Sequence, residues 1–206
     1  MPKGSPELTA GRKDEIISAC EKLYRTMNFK DITMNDIGNE TTFTRTSIYN
    51  YFRTKEEIFL SLLQREYYIW VTELDKIIDT NENLTREEFA DALAKSLEER
   101  KQLLKLMTMN HFDMEENSSI ENLTEFKKSY AASLNAVERC LQKFFPALTD
   151  KERENFLYAF FPFVYGIYPY VEVTEKQSKA MKAAELSFVP HSIYELAHNF
   201  ILKLLP

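Results

Sequence analysis

Apolar residues recur along this chain at three- and four-residue intervals, the spacing of one face of an α-helix. Ile16, Cys20, Leu23 and Met27, with Ile17 and Tyr24 beside them, predict a first helix from about Lys13 to Asn28. Thr33 and Asp36 form a capping pair that opens a short helix, with Met34 and Ile37 facing inward. Gly38 falls where that helix must pack closely on its successor. Thr44 caps a further helix from Arg45 to about Phe52, and Thr54-Lys55-Glu56-Glu57 opens another. The apolar pattern over 55–79 fits one helix or two. Thr85 caps the next element, whose inner face carries Leu93 and Leu97. Lys101 to about Met114 is apolar and methionine-rich. After the break at Asn117-Ser118-Ser119 a long helix runs to about Phe145. Thr149-Asp150 caps the helix that contains the uncharged stretch from Phe156 to Val171. Glu172 to Lys182 is polar and reads as loop or frayed helix. From Pro190 onward Ile193, Leu196, Ala197, Phe200, Ile201 and Leu204 form the cleanest amphipathic stripe in the chain.

Composition agrees with an all-α fold: 206 residues contain only 4 glycines and 7 prolines, and 44% are hydrophobic. Cys20 and Cys140 lack any metal-ligand spacing and sit within apolar patterns, so they are expected to be buried, reduced thiols. No metal site and no cofactor is expected. The first residues lack an apolar signal region, and Phe156–Val171 is shorter than the roughly 20 residues that span a bilayer. A cytoplasmic protein without a membrane partner is therefore expected. The net charge is −6, but it is unevenly spread. Residues 1–65 hold 10 Lys and Arg against 9 acids, and the remainder holds 16 against 23. The acidity belongs to the second part; the first is only marginally basic, which predicts modest non-specific affinity for DNA.

The order of elements between Thr33 and Lys55 carries the most chemistry. A short helix, a tight turn and a helix with a hydroxyl-rich start make a helix-turn-helix, whose second helix enters the DNA major groove by its N-terminal end. Thr44, Arg45, Thr46 and Ser47 occupy that end. Arg45 is suited to guanine O6 and N7, and Thr46 to a thymine methyl or a polar base edge. Tyr49 and Asn50 lie one turn on, within reach of phosphates. Thr33 and Lys55 begin helices whose unpaired N–H groups favour phosphate oxygens. Tyr51 and Phe52 are core anchors for the short helix.

This stretch resembles the DNA-binding domain of the TetR family of bacterial regulators, whose usual pattern is T-x-x-x-I-A-x-x-A-G-V-S-x-x-x-(I/L)-Y-x-Y-F-x-(S/T)-K-E-x-L. Thr33, Ile37, Ile48, Tyr49, Tyr51, Phe52, Thr54, Lys55, Glu56 and Ile58 match it. The turn departs from it: Thr41-Thr42-Phe43-Thr44 stands in place of Ala-Gly-Val-Ser, and Gly38 in place of alanine. The resemblance covers roughly residues 10–65. It implies an N-terminal three-helix DNA-binding domain and a helical-bundle C-terminal domain that dimerises and binds an inducer.

The expected organisation is a flexible arm over 1–11, the helix-turn-helix domain over 12–65, and a ligand-binding and dimerisation domain over 66–206. Two amphipathic stripes, 156–171 and the last helix, either pair across a two-fold axis or close the monomer core. Aromatic and methionine side chains concentrate in the second part. Met107, His111, Phe112, Tyr130, Phe161 and Tyr165 are the candidate lining for a small hydrophobic or aromatic ligand. Pro162, Gly166 and Pro169 interrupt their helix as a pocket wall or as an inert kink. The expected function is a repressor that releases its DNA operator on ligand binding, acting as a homodimer. The alternative is a helix-turn-helix adaptor that works through protein partners. An enzyme is not expected: the sequence has no phosphate loop or nucleophile elbow, and its three histidines are scattered.

Overall fold

The computed structural model describes residues 5–42, 44–109 and 111–206, with the side chains of Arg45, His111, Phe112 and Asp113 outside that description. Every regular element among these residues is an α-helix. In chain order they are α1 Pro6–Tyr24, α2 Met34–Asn39, α3 Arg45–Ile48, α4 Lys55–Thr80, α5 Arg86–Glu98, α6 Lys101–Met107, α7 His111–Glu116, α8 Ile120–Phe144, α9 Asp150–Val171, α10 Glu175–Ala183 and α11 Ile193–Leu204.

Caps fix most of the starts. Thr33, Thr85, Thr149, Thr174 and Ser192 each accept the N–H three residues on, and the acid or amide at that position accepts the N–H of its own cap. Two orphan donors are thereby satisfied at each helix start.

Several elements differ from their expected extent. Helix α1 begins at Pro6, inside the stretch expected to be a flexible arm. Ser5 accepts the Leu8 N–H and Pro6 needs no donor in the first turn, so the start is well capped without any apolar signal. The 55–79 region is one helix. Residues 101–114 divide into α6 and α7, and the Thr108 hydroxyl turns back to the Lys105 carbonyl at the break. The polar stretch after Glu172 contains a helix, α10, capped by Thr174 and Gln177. Helix α9 runs without interruption through Pro162 and Pro169. Both prolines are exposed, so the carbonyls they leave without a donor need no buried partner.

By contacts the chain forms two compact units. The first comprises the residues up to Tyr67 together with Met109–Ala131; the second comprises Tyr68–Thr108 and Ala132–Pro206. Helices α4 and α8 contribute to both. In the first unit Ile16, Cys20, Ile37, Ile48, Ile58 and Leu62 are fully buried. Tyr24 and Phe29 meet the Phe59 ring edge-on at centroid distances of 5.1 and 4.8 Å. Arg65 ties α4 to α1, donating to Asp14, Ser18 and Glu21. In the second unit Trp70 packs against Phe160 and Phe161, and its ring N–H donates to Ser96 Oγ at 3.0 Å. Each such fully buried large side chain contributes about 1.5–3 kcal/mol to folding. Helix α11 packs on α5 and α9. Cys20 and Cys140 are free thiols, both buried.

Candidate nucleic-acid interface

The interface is assembled from the end of α2 through the start of α4. Helix α2 is anchored by buried Ile37 and Gly38, and α3 by buried Ile48 and Phe52. Helix α3 has only four residues; the expected extent to Phe52 is not helical throughout. Asn50 N–H and Tyr51 N–H bond three residues back, to Ser47 and Ile48, which tightens the last turn.

These anchors leave the front of α3 outward. Thr44 and Thr46 are exposed and Ser47 is half-buried. Thr44 Oγ1 and Ser47 Oγ share a hydrogen bond of 3.1 Å, so the two hydroxyls are held side by side. Tyr49 is 46% exposed and Asn50 is exposed beside it. The backbone of Arg45 opens the helix, while its side chain lies outside the described residues. Thr33 is an exposed cap whose hydroxyl also donates to Asp36, at 2.6 Å. Lys55 is placed differently from its neighbours. Its ammonium donates to the Phe29 and Ile32 carbonyls at 2.8 and 3.0 Å and lies 4.3 Å from the Phe29 ring centroid. The side chain is thus spent inside the unit.

The glycine-free turn is held by side chains. Among the described residues only Glu185 has a positive φ, so Thr41 and Thr42 adopt ordinary backbone conformations. Thr41 Oγ1 donates to the Gly38 carbonyl at 2.8 Å. The N–H and hydroxyl of Thr42 both donate to Glu15 Oε1, at 2.6 and 2.7 Å. These two bonds, the backbone one foremost, hold the Glu15 carboxyl below the usual carboxylate range. Phe43 lies outside the described residues. Sequence reasoning missed Glu15, because 27 positions separate it from Thr42 and no local pattern links them.

A second connection was equally silent. Thr54 Oγ1 accepts the Glu57 N–H and donates to the Asn117 carbonyl at 2.9 Å. Buried Glu57 accepts from Arg53 N–H at 2.7 Å and from Ser119 N–H at 3.3 Å. The start of α4 is therefore stitched to the 117–119 loop inside the same unit.

The candidate ligand residues fall in both units. Tyr130 belongs to the first, with its ring 5.9 Å from that of Tyr67. His111 and Phe112 belong there too, their side chains outside the description. Met107 and Phe161 are buried in the second unit, and Tyr165 is half-buried there. No single helix among the described residues is long and apolar enough to cross a membrane.

Comparison with known proteins adds to this geometry. Residues 16–62 match the family model described as bacterial regulatory proteins, tetR family, and residues 64–199 match the one described as tetracyclin repressor-like, C-terminal domain. The uncharacterized HTH-type transcriptional regulator YfiR of Bacillus subtilis (strain 168) is 32% identical over 76 residues, which is 35% of this chain and 37% of that protein. That match thus spans little more than a third of the relative. Among solved structures, the fatty acid degradation regulator FadR from Bacillus halodurans superposes with a TM-score of 0.61 at 15% identity, covering 98% of this chain and 97% of that one. A TetR/AcrR-family regulator from Thermobifida fusca gives 0.60 at 18% identity, covering 93% and 97%. At these identities the likeness is one of fold.

Proposed function

Because the chain belongs to the TetR family of bacterial transcriptional regulators, we propose that it is a homodimeric, ligand-responsive repressor. The observation that carries this reading is the exposed, hydroxyl-rich front of α3, set on a capped α2 and anchored by Ile48 and Phe52. In this reading Thr44, Arg45, Thr46 and Ser47 read base edges. Thr33, Tyr49, Asn50 and the backbone at Lys55 hold phosphates. Two copies place two such heads about one DNA turn apart, roughly 34 Å. Support for the dimer comes from α9 and α11. Tyr158 and Tyr170 on α9 are 75% and 70% exposed, and the Phe163–Phe200 stack at 4.0 Å holds α11 against α9 within the protomer, beside that face. Acting on chromosomal DNA, the protein works in the cytoplasm.

Within the second unit, Met107, Phe161 and Tyr165 are the residues assigned to the inducer. An apolar molecule with one polar end suits them. In the second unit the buried atoms Glu73 Oε2 and Gln102 Nε2 have no hydrogen-bond partner within the protein, and buried polar atoms favour a partner. Burial raises the Glu73 carboxyl above its usual range, with Arg100 opposing. Release works by population shift: the ligand favours a state in which the heads no longer fit the operator. The bonds from Thr54 and Glu57 to Asn117 and Ser119 are the route by which a change in the α7–α8 loop reaches the start of α4.

Fluorescence anisotropy with the DNA upstream of the chain's own gene tests this. Wild type should bind with sequence preference. Arg45→Ala should weaken operator binding by about 1–3 kcal/mol and relax the preference. A panel of apolar molecules with one polar end should contain one that releases the DNA. A fatty acid belongs in it, because a fold relative is named for fatty acid degradation. If no member releases it, the inducible part of the reading fails while the DNA-binding part stands.

A further inference from the structure

We propose that Glu15 on α1 is a positioning residue for base reading: its carboxylate holds Thr42 and so fixes the turn that presents α3. The inference rests on the reading that α3 reads bases. Glu15 does not itself touch DNA in this account; it acts through the turn.

Five observations carry it. Neither Thr41 nor Thr42 is left-handed; backbone bonds to Ile37 and Gly38 hold the segment as far as Thr41, and beyond it Thr42 is bonded to Glu15. The Glu15 carboxylate takes both donors of Thr42, N–H and hydroxyl, at 2.6 and 2.7 Å. Charge-assisted bonds of this length are among the stronger hydrogen bonds. Glu15 is also set on a rigid base, since its neighbours Ile16, Ala19 and Cys20 are buried in the core. A second acid works alongside it: Glu40, at the end of α2, pairs with Lys22 of α1 at 2.5 Å. Finally, Thr42 lies two residues before Thr44, the N-cap of α3. A shift at Thr42 therefore moves the first base-reading residue directly.

The sign of the effect makes the idea testable. A carboxylate beside a DNA-binding face repels phosphates, so simple electrostatics predicts that removing it tightens binding. Positioning predicts the reverse for the preferred sequence. The experiment first lets wild-type protein select a duplex from a random pool, then measures affinity for that duplex and for a scrambled one. Glu15→Ala should lose roughly tenfold on the selected duplex, the scale of one charge-assisted hydrogen bond. Its affinity for the scrambled duplex should stay equal or rise slightly. Glu15→Gln removes the charge but keeps an acceptor oxygen, and should restore most of the affinity. Thr42→Val removes only the hydroxyl and should fall between. The double variant Glu15→Ala/Thr42→Val should be no worse than Glu15→Ala alone. If Glu15→Ala fails to fold, Glu15→Gln and Thr42→Val still decide the matter. The proposal is overturned if Glu15→Ala, or Thr42→Val in its stead, binds the selected duplex as well as wild type, or if Glu15→Gln loses as much as Glu15→Ala. If wild type enriches no sequence at all, the base-reading role of α3 falls, and this proposal falls with it.

Discussion

Cys20 and Cys140 are both fully shielded from solvent, one in each compact unit. Burial among apolar neighbours pushes the Cys20 thiol well above its usual value and the Cys140 thiol up to about 12. The thiolate is the reactive form, so both residues should be inert while the protein is folded. Native protein treated with iodoacetamide at pH 8 should gain no label, and denatured protein should gain two; labelling of the native state contradicts the assigned packing. Glu185 is the opposite case, a residue at odds with its backbone. It sits at φ 54° directly after α10, where its N–H bonds to Lys182 and the Leu186 N–H to Met181. That is a Schellman stop, which glycine fills at lower cost. Glu185→Gly should stabilise this end of α10 by roughly 0.5–1 kcal/mol. Hydrogen exchange at the Leu186 amide should slow by about twofold to fivefold; unchanged or faster exchange refutes it.

Helix starts are where local sequence speaks most plainly in this chain. Asp36, Glu88, Glu152 and Glu195 are held below the usual carboxylate range by hydrogen bonds from their own capping residues. A depressed folded value means that the stabilisation is present above the unfolded pKa and is lost as pH falls through the folded one. Glu73, raised by burial, works in the opposite direction. The urea midpoint should therefore hold from pH 7 to 5 and drop below about pH 4. A midpoint unchanged between pH 5 and 3 means the caps contribute little. The same boxes explain what could be read in advance. Thr33, Thr85 and Thr149 announced their helices, because an N-cap is a contact over three residues. The box at Thr174 and Gln177 is equally local, but the stretch it opens is too polar to show a buried helix face. What escaped was non-local: the hold of Glu15 on Thr42, the stitch from Thr54 and Glu57 to residues 117–119, and the inward turn of Lys55. The outward face of α3 was legible from hydroxyl residues at the front of a short apolar helix. The extent of α3 was not, since its tightened end depends on how Phe52 is buried.

At the scale of the molecule, α9 presents an exposed face without charge. Asn155, Tyr158, Pro162, Gly166, Pro169 and Tyr170 are all exposed, and none carries a charge. A Cβ added at Gly166 would meet nothing within 4 Å, so the monomer itself gives no reason for glycine there. If two copies meet across this face, Tyr158→Glu should shift the protein from dimer to monomer in sedimentation velocity. Its affinity for a two-site operator should fall together with the dimer. A variant that stays dimeric places the interface elsewhere.

The first unit is not continuous in sequence, because Met109–Ala131 completes it after an excursion of 41 residues, Tyr68–Thr108, into the second. During synthesis the DNA-reading head therefore cannot finish folding when its own helices emerge. It must wait until the ribosome has delivered Ala131, well past the middle of the chain. Tyr67 meanwhile lacks the ring of Phe126, whose centroid lies 6.2 Å from its own in the finished unit. A nascent chain arrested with only residues 1–67 outside the ribosome should stay protease-sensitive, and one exposing residues 1–131 should gain resistance in its head. Molecules truncated before Ala131 would then be open to proteolysis before they could occupy DNA.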